Sequence, residues 1–187
     1  MKKLSHEELI SRQAGLGSQT PIPFMAVLND IRSLYNVGSL FRTADGAGLE
    51  KLWLCGLTGI PPDSQISKTA LGAEKHVPWE YTRDPAVCLQ KLRESGYQTV
   101  LLEQTRESIP YDQYCPKGPV CLIVGNEISG VTERLLPWCD AAIEIEMAGL
   151  KSSLNVTVAF GVAAYHIRRK LKEAGYGRSV PALNAGA

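Results

Sequence analysis

Three short segments of the chain combine polar side chains with glycine or serine in patterns that suit ligand binding or catalysis. They are residues 36–44, which contain Asn36 and Arg42, residues 125–130, which hold an amide and a carboxylate between two glycines, and residues 152–159, which contain two serines and an asparagine. Fixed amides and carboxylates can orient a substrate, and a guanidinium can bind phosphate through two parallel hydrogen bonds. The chemistry they favour is recognition of a polar, charged ligand.

The segment at residues 125–130 follows an apolar run and begins and ends with glycine. Gly125 and Gly130 allow the backbone to turn sharply and to approach a ligand closely. Asn126 and Glu127 then present an amide and a carboxylate from fixed positions. An alternative interpretation is that the segment is only a glycine-rich turn, in which these two side chains cap the next helix.

The segment at residues 36–44 is predicted to open a helix. Asn36 and Gly38 are expected at its N-terminus, where free backbone N–H groups and the helix dipole favour a phosphate or carboxylate. Arg42 follows one turn later and could bind phosphate with its planar guanidinium. The alternative for Arg42 is an ordinary ion pair with Asp45 or Glu127.

The segment at residues 152–159 places Ser152, Ser153 and Asn155 directly before a run of apolar and small residues, 156–164. A helix that is apolar nearly all round is typical of one covered on both sides. The sequence therefore predicts that this helix is buried on both sides and carries a polar group at its start.

Apolar runs and helical patterns alternate along the chain, which predicts an α/β fold around a mostly parallel central sheet flanked by helices. The predicted strands are 24–28, 51–55, 97–102, 120–124 and 141–145. The predicted helices are 38–47, 85–94, 131–136 and 152–173. Residues 56–78 form a connector that is long enough to suggest a function. Because ligands collect at the carboxyl ends of parallel strands, the three polar segments are expected to converge on one site.

Composition narrows the class of protein. The 187 residues fit one domain, and a formal net charge of +1 gives no global attraction to a polyanion, so any nucleic-acid site must be local. The start Met1-Lys2-Lys3 is followed by polar residues, and the five cysteines form no CxxC pair, which predicts a cytoplasmic protein with reduced thiols and no metal site. The sequence contains no GxxxxGK[ST], GxGxxG, GxSxG or HExxH motif.

The three segments resemble the signatures of the SpoU/TrmH family of RNA 2′-O-ribose methyltransferases, part of the SPOUT class, over residues 24–170. The matching signatures are Asn36-x-Gly38-x-x-x-Arg42-Thr43-Ala44, Gly125-Asn126-Glu127-x-x-Gly130 and Ser153-Leu154-Asn155-Val156-Thr157-x-Ala159. The resemblance implies a knotted (trefoil) SPOUT methyltransferase fold and a homodimer in which the partner completes the site. It also implies S-adenosylmethionine as cofactor, no metal, an RNA partner and no membrane association.

The resemblance further implies roles for individual residues. Those expected to contact the cofactor are Leu102, Glu103, Gly125, Asn126, Glu127, Ile145, Met147, Ser153 and Leu154. Those matching the family's catalytic group are Asn36, Arg42, Glu127, Ser153 and Asn155. Two roles for Arg42 are open: it accepts the proton of the ribose hydroxyl, or it is a cation that fixes the adjacent phosphate and lowers the pKa of that hydroxyl.

The expected organisation is an N-terminal extension at 1–23, a SPOUT methyltransferase domain at 24–173 and a C-terminal tail at 174–187. The RNA substrate expected from the short extensions is tRNA methylated at a guanosine ribose, with rRNA as the alternative. A base methyltransferase and a non-catalytic RNA-binding module are the other hypotheses, followed by a dinucleotide-dependent oxidoreductase, which the missing GxGxxG motif disfavours. Basic residues that could contact RNA, or could simply form a solvated helix face, are Arg12, Lys68, Lys75, Arg168, Arg169, Lys170, Lys172 and Arg178.

Overall fold

The computed structural model describes residues 1–14 and 22–177, which form seven strands and five α-helices. The strands are β1 (Phe24–Asn29), β2 (Lys51–Cys55), β3 (Trp79–Thr82), β4 (Gln98–Leu102), β5 (Ile109–Pro110), β6 (Val120–Val124) and β7 (Ala141–Glu144). The helices are α1 (His6–Ala14), α2 (Leu34–Ala47), α3 (Ser64–Ala70), α4 (Pro85–Glu94) and α5 (Val156–Glu173). Turns of 3-10 helix lie at Ala73–Lys75, Tyr111–Gln113 and Glu133–Trp138.

The strands form one sheet in the order β3-β2-β1-β6-β4-β7-β5, and every pairing is parallel. The sheet is covered on both faces. Helices α2, α3 and α5 pack on the face that includes Leu122 and Val124, while α4 packs on the face that includes Cys121 and Ile123. Because β6 is buried on both sides, its sequence is a continuous apolar run. The predicted α/β fold with a mostly parallel sheet is confirmed, and the trefoil knot stays a prediction.

Several elements differ from the sequence-based expectation. Strands β3 and β5 were not predicted, because β3 is an edge strand with exposed polar residues and β5 has only two residues. The long connector contains α3, which Asp63 caps by accepting hydrogen bonds from the N–H groups of Gln65 and Ile66. The predicted helix at 131–136 is instead the 3-10 turn that ends near Pro137.

Within residues 1–14 and 22–177, no helix combines the length and apolar character needed to cross a bilayer.

Helix α2 begins four residues earlier than the sequence suggested. Ser33 is its N-cap, and the Ser33 hydroxyl accepts a hydrogen bond from the N–H group of Asn36. Gly38 is therefore buried inside the helix, and the prediction that it offers a free N–H group at the terminus is wrong. Its small size serves packing instead, because a Cβ built on Gly38 would collide with the carbonyl oxygen of Ile66 in α3.

We expect Gly38→Ala to lower the free energy of unfolding by about 1–3 kcal/mol, because α2 and α3 must separate to accept the methyl group. The measurement is urea unfolding followed by circular dichroism. Gly118→Ala is the control, since a Cβ there meets no atom within 4 Å. Equal stability of the two variants would contradict the packing role of Gly38.

Helix α5 begins at Val156, and the Asn155 side chain caps it by accepting a hydrogen bond from the N–H group of Thr157 at 2.9 Å. One face of the helix packs on the sheet through residues such as Phe160 and Ile167. The opposite face is open in the single chain, where Val158 and Tyr165 are each 51% exposed. The prediction that the start of this helix is buried on both sides is therefore wrong for one chain, because α5 packs on the sheet and on α2 while the side that carries Val158 is exposed.

The five cysteines carry free thiols, and Cys55, Cys88 and Cys121 lie in the core. The Sγ atoms of Cys55 and Cys88 are 3.7 Å apart. This hydrogen bond, together with burial, raises the pKa of Cys55, and burial raises the pKa of Cys121. Both thiols are therefore protonated and act as small apolar side chains.

Candidate active site

A cavity of about 570 Å³ opens at the carboxyl ends of β4, β6 and β7. Its walls are the loops that follow these three strands and the residues that lead into α5. This volume lies within the range of small-molecule sites in proteins, and the position is where parallel sheets collect ligands. The convergence expected from the sequence is thus seen for the segments at 125–130 and 152–159.

All nine residues predicted to contact a cofactor line this cavity. They are Leu102, Glu103, Gly125, Asn126, Glu127, Ile145, Met147, Ser153 and Leu154. Several contribute apolar side chains, and the others contribute carboxylate, amide or hydroxyl groups. A cavity with this lining can hold a flat apolar ring together with a polar chain.

The loop at residues 125–130 is held closed by its own hydrogen bonds. Asn126 and Gly130 exchange backbone hydrogen bonds of 3.0 Å in both directions. The Asn126 side-chain oxygen accepts from the N–H groups of Ile128 and Ser129, and its amide nitrogen donates to the carbonyl oxygen of Asp30 at 2.9 Å. Asn126 is only 8% exposed and therefore shapes the cavity wall.

Glu127 joins this loop to the N-terminus of α2, 91 residues away in sequence. Its carboxylate accepts hydrogen bonds from the Asn36 side-chain amide at 2.8 Å and from the N–H groups of Arg32 and Ser33 at 3.3 Å. The alternative in which Glu127 caps the next helix along the chain is wrong. The Glu127 carboxylate thus occupies the N-terminus of α2, where the sequence suggested that a bound anion would lie. Its negative charge is favourable there because the helix dipole is positive at that end.

Partial burial of the Glu127 carboxylate acts to raise its pKa. Hydrogen bonds from Asn36 and from the backbone N–H groups of Glu127, Arg32 and Ser33 outweigh that effect, so the pKa lies below its usual value. A glutamate with a lowered folded-state pKa stabilises the fold above its ordinary pKa, and this contribution disappears as the pH falls through the folded-state value.

We expect Glu127→Gln to lower the free energy of unfolding by about 1 kcal/mol at neutral pH, a value reduced by the solvent exposure of the site. The difference from wild type should shrink toward zero in acid, once the carboxylate of the wild type is protonated. Urea unfolding at about pH 7 and about pH 3 measures both values. A stability difference that is independent of pH would show that the charge of Glu127 does not hold the loop to α2.

Asn155 and Asn36 meet beside the cavity. The Asn155 amide nitrogen lies 3.5 Å from the Asn36 side-chain oxygen, at the limit of a hydrogen bond. Asn36 in turn donates to Glu127, so the three predicted polar residues form a continuous chain between α2, the 125–130 loop and the start of α5. Ser153 and Asn155 also line the cavity.

Arg42 does not join this cluster within one chain. It is exposed on α2, does not line the cavity, and lies six residues beyond Asn36, which corresponds to about 9 Å along the helix axis. Among the described residues it forms no ion pair with Asp45 or Glu127, so that alternative is wrong. Its guanidinium is free to reach another molecule.

Two further residues shape the site and were not predicted. Asp30 has a left-handed backbone with φ of 57°, and its carboxylate accepts a hydrogen bond from the N–H group of Leu57 at 2.8 Å. The Gln104 side-chain amide donates to the carbonyl oxygen of Ser152 at 2.6 Å and so links the loop after β4 to the lead-in of α5. Because Asp30 directly follows the apolar run of β1, its position in the sequence could have identified it as a site residue. No sequence pattern marks Gln104.

Most of the basic residues proposed for RNA contact lie on the surface, whereas Arg168 is half-buried and its Nε atom is covered. Arg169 and Lys170 pair with Glu173 near the end of α5, about 20 Å along the helix from the cavity. Lys68 lies over the ring of Tyr35, with its Nζ atom 5.9 Å from the centroid. The ion pairs support the interpretation of a solvated helix face for this part of α5. Arg178 lies outside the described residues.

Closer to the cavity, a neighbouring hollow of about 360 Å³ shares Gln104, Glu144 and Met147 with it and is also lined by Lys151. Arg32 is exposed in the loop that precedes α2. Neither basic residue was predicted, although Lys151 directly precedes the segment at 152–159 and Arg32 lies four residues before the segment at 36–44. Among the residues that the structure covers, no group of His, Cys, Asp and Glu side chains is arranged to hold a metal ion.

Comparison with solved structures identifies similar folds. The A. aeolicus TrmH/SpoU tRNA modifying enzyme superposes on this chain with a TM-score of 0.77 at 26% identity. The superposition includes 90% of this chain and 85% of that enzyme. An AdoMet-bound rRNA methyltransferase from Sinorhizobium meliloti gives a TM-score of 0.74 at 28% identity, over 78% of this chain and 56% of that chain.

Comparison of sequences agrees. The 23S rRNA (guanosine-2′-O-)-methyltransferase RlmB of Pseudomonas aeruginosa is 31% identical over 164 residues, which are 88% of this chain and 63% of that protein. The chain thus spans less than two thirds of that relative. The family model described as SpoU rRNA Methylase matches residues 23–165. The chain therefore belongs to the SpoU rRNA methylase family.

Proposed function

We propose that the protein is an S-adenosylmethionine-dependent RNA methyltransferase that methylates a ribose 2′-hydroxyl. The observation that supports this most is the hydrogen-bonded chain of Asn36, Glu127 and Asn155 beside a cavity of about 570 Å³. The cavity offers room for a cofactor, and the chain offers groups that can orient a hydroxyl. The names of the relatives given above, all RNA-modifying enzymes, agree with this activity.

The cavity suits the cofactor in size and chemistry. Leu102, Ile145 and Leu154 provide apolar surface for an adenine ring, and the 125–130 loop closes to form one wall because Gly125 has no side chain that would collide with the backbone of Gly130 and Val131. Bound there, S-adenosylmethionine would supply an activated methyl group for the ribose 2′-oxygen, with the neutral thioether as leaving group and with the hydroxyl proton passing to a basic group or to water.

The residues of the chain would act by positioning. Asn155 and Ser153 would hydrogen-bond near the 2′-oxygen, and Asn36 would orient the ribose while Glu127 holds the cavity wall to α2. Arg42 would either accept the hydroxyl proton or bind the adjacent phosphate and stabilise the developing negative charge. The second role agrees with the ordinary behaviour of a guanidinium, which stays protonated in proteins.

We further propose that the protein works as a homodimer. The exposed apolar side of α5 at Val158 and Tyr165 is suited to burial against a second copy, and the guanidinium of Arg42 is free to reach into the partner's cavity. This arrangement accounts for a catalytic arginine that does not line the cavity of its own chain.

The RNA partner we favour is tRNA, methylated at a guanosine ribose, with rRNA as the alternative. One relative that is similar in fold, with a TM-score of 0.77, is described as a tRNA modifying enzyme, and one that is similar in sequence, at 31% identity, is described as a 23S rRNA methyltransferase. Arg32 and Lys151 are the basic residues best placed to bind phosphate near the cavity. The methyltransferase domain would comprise residues 24–173 and act in the cytoplasm, with 1–23 and 174–187 as extensions.

The experiment that tests this function measures binding of S-adenosylmethionine by calorimetry and transfer of its labelled methyl group to bulk tRNA and, separately, to rRNA. We expect binding and transfer to one RNA class, preferentially tRNA. Binding without transfer to either RNA would point to a substrate outside these two RNA classes. Absence of both binding and transfer would contradict the proposed function and favour the non-catalytic RNA-binding module.

A further inference from the structure

The cavity is lined by three carboxylates and, among the described residues, by no basic side chain. The three are Glu103, Glu127 and Glu144. The lining of the neighbouring hollow adds one more carboxylate, that of Glu146, and one basic side chain, that of Lys151. The two spaces together therefore carry an excess of negative charge, which is unusual in a protein whose formal net charge is +1 and which acts on a polyanion under the function proposed above.

Two of the three carboxylates are occupied by donors from the protein. Glu127 accepts from Asn36 and from two backbone N–H groups, and Glu144 accepts from the hydroxyl of Ser108. Glu103 differs from them. Its Oε1 atom accepts from the N–H group of Gln104 at 3.0 Å, while its Oε2 atom has no hydrogen-bond partner among the described residues.

The Oε2 atom of Glu103 is held in a defined position by the surrounding backbone. Glu103 directly follows β4, is half-buried, and its backbone N–H group donates to the carbonyl oxygen of Ile143 at 3.0 Å. Its Oε2 atom lies against Gly130, where a built Cβ would collide with it. Glycine at position 130 thus leaves room for this carboxylate between the loops that follow β4 and β6.

We propose that Glu103 makes the cavity prefer the positively charged methyl donor over the neutral product, S-adenosylhomocysteine. The inference rests on the proposed function. S-adenosylmethionine carries a sulfonium, an ammonium and a carboxylate, so its net charge is positive, whereas the product has lost the sulfonium charge. Both ligands share the ammonium and the carboxylate, so the sulfonium charge is what distinguishes them to a nearby carboxylate. Attraction between this charge and the half-buried Glu103 carboxylate corresponds to about tenfold in affinity. Product release after transfer is favoured for the same reason.

The test is calorimetric measurement of dissociation constants for both ligands with wild type, Glu103→Gln and Glu107→Gln. Glutamine keeps the size of Glu103 and an oxygen that can accept from Gln104. Glu107 is exposed and lines neither cavity, so it controls for the loss of one negative charge. A third ligand is sinefungin, which carries an ammonium group where the donor has the sulfonium. Thermal unfolding verifies that each variant is folded.

We expect Glu103→Gln to weaken binding of S-adenosylmethionine and sinefungin about tenfold, to change binding of S-adenosylhomocysteine less than about twofold, and so to reduce the preference for the donor. Glu107→Gln should leave the preference as in wild type. If both ligands bind and Glu103→Gln leaves their ratio unchanged, the inference is overturned while the proposed function stands. If neither ligand binds to wild type, both fail.

Discussion

Arg42→Ala is expected to lower methyl transfer by about 1000-fold and to change the dissociation constant of S-adenosylmethionine by less than about twofold. The reason is that Arg42 lies outside the cavity of its own chain, yet it is an exposed cation, without an ion pair among the described residues, that we propose to act on the hydroxyl or its phosphate. Single-turnover transfer and calorimetry measure the two quantities. Arg83→Ala, at another exposed arginine that does not line the cavity, is the control and should keep wild-type activity.

A mixture of two inactive variants tests whether Arg42 acts across the dimer. In a heterodimer of Arg42→Ala and Asn155→Ala chains, one cavity keeps Asn155 and receives Arg42 from the partner. If half of the dimers are mixed and one site in each works, roughly a quarter of wild-type activity returns. If Arg42 serves its own chain, neither site is complete and the mixture stays inactive, which would contradict the arrangement we propose.

Gly125→Ala is expected to weaken binding of S-adenosylmethionine at least about 100-fold and to lower the free energy of unfolding by about 2 kcal/mol. A Cβ built on Gly125 collides with the backbone of Gly130 and Val131, so the loop must open and the cavity wall is lost. Calorimetry and urea unfolding measure the two effects.

Gly149→Ala is the matched control for this change. Gly149 lines the neighbouring hollow, and a Cβ there meets nothing within 4 Å. We expect wild-type stability from this variant. If Gly125→Ala bound the cofactor as well as Gly149→Ala does, the 125–130 loop would not form the wall of the binding site.

The central part of the fold was predictable from sequence because it is buried. Strands β2 and β6 and helix α4 match their predicted bounds, since continuous apolar runs and a Pro at the first helical turn mark them. Edge strands carry weaker signals, so β3 and β5 were missed. The start of α2 was misplaced because Gly38 was interpreted as a ligand-binding residue, whereas its small size allows α3 to approach.

The candidate site was predictable to the extent that its side chains lie in the three signatures. The contact of Glu127 with α2 was not, because it joins segments 91 residues apart and uses backbone N–H groups that no residue type reveals. Asp30 and Gln104 act mainly on backbone groups of other loops, which sequence patterns do not encode. In our proposal, Arg42 acts in the cavity of a second chain. A contact between chains cannot be predicted from the periodicity of one sequence.

The most direct test of the account is the chemical position of the transferred methyl group. RNA that has accepted labelled methyl from S-adenosylmethionine is digested with alkali, which cleaves only where a free 2′-hydroxyl is present. We predict that the label remains in alkali-resistant dinucleotides and that it is absent when Arg42→Ala replaces wild type. Label recovered in single nucleotides would show that a base is methylated and would contradict transfer to ribose.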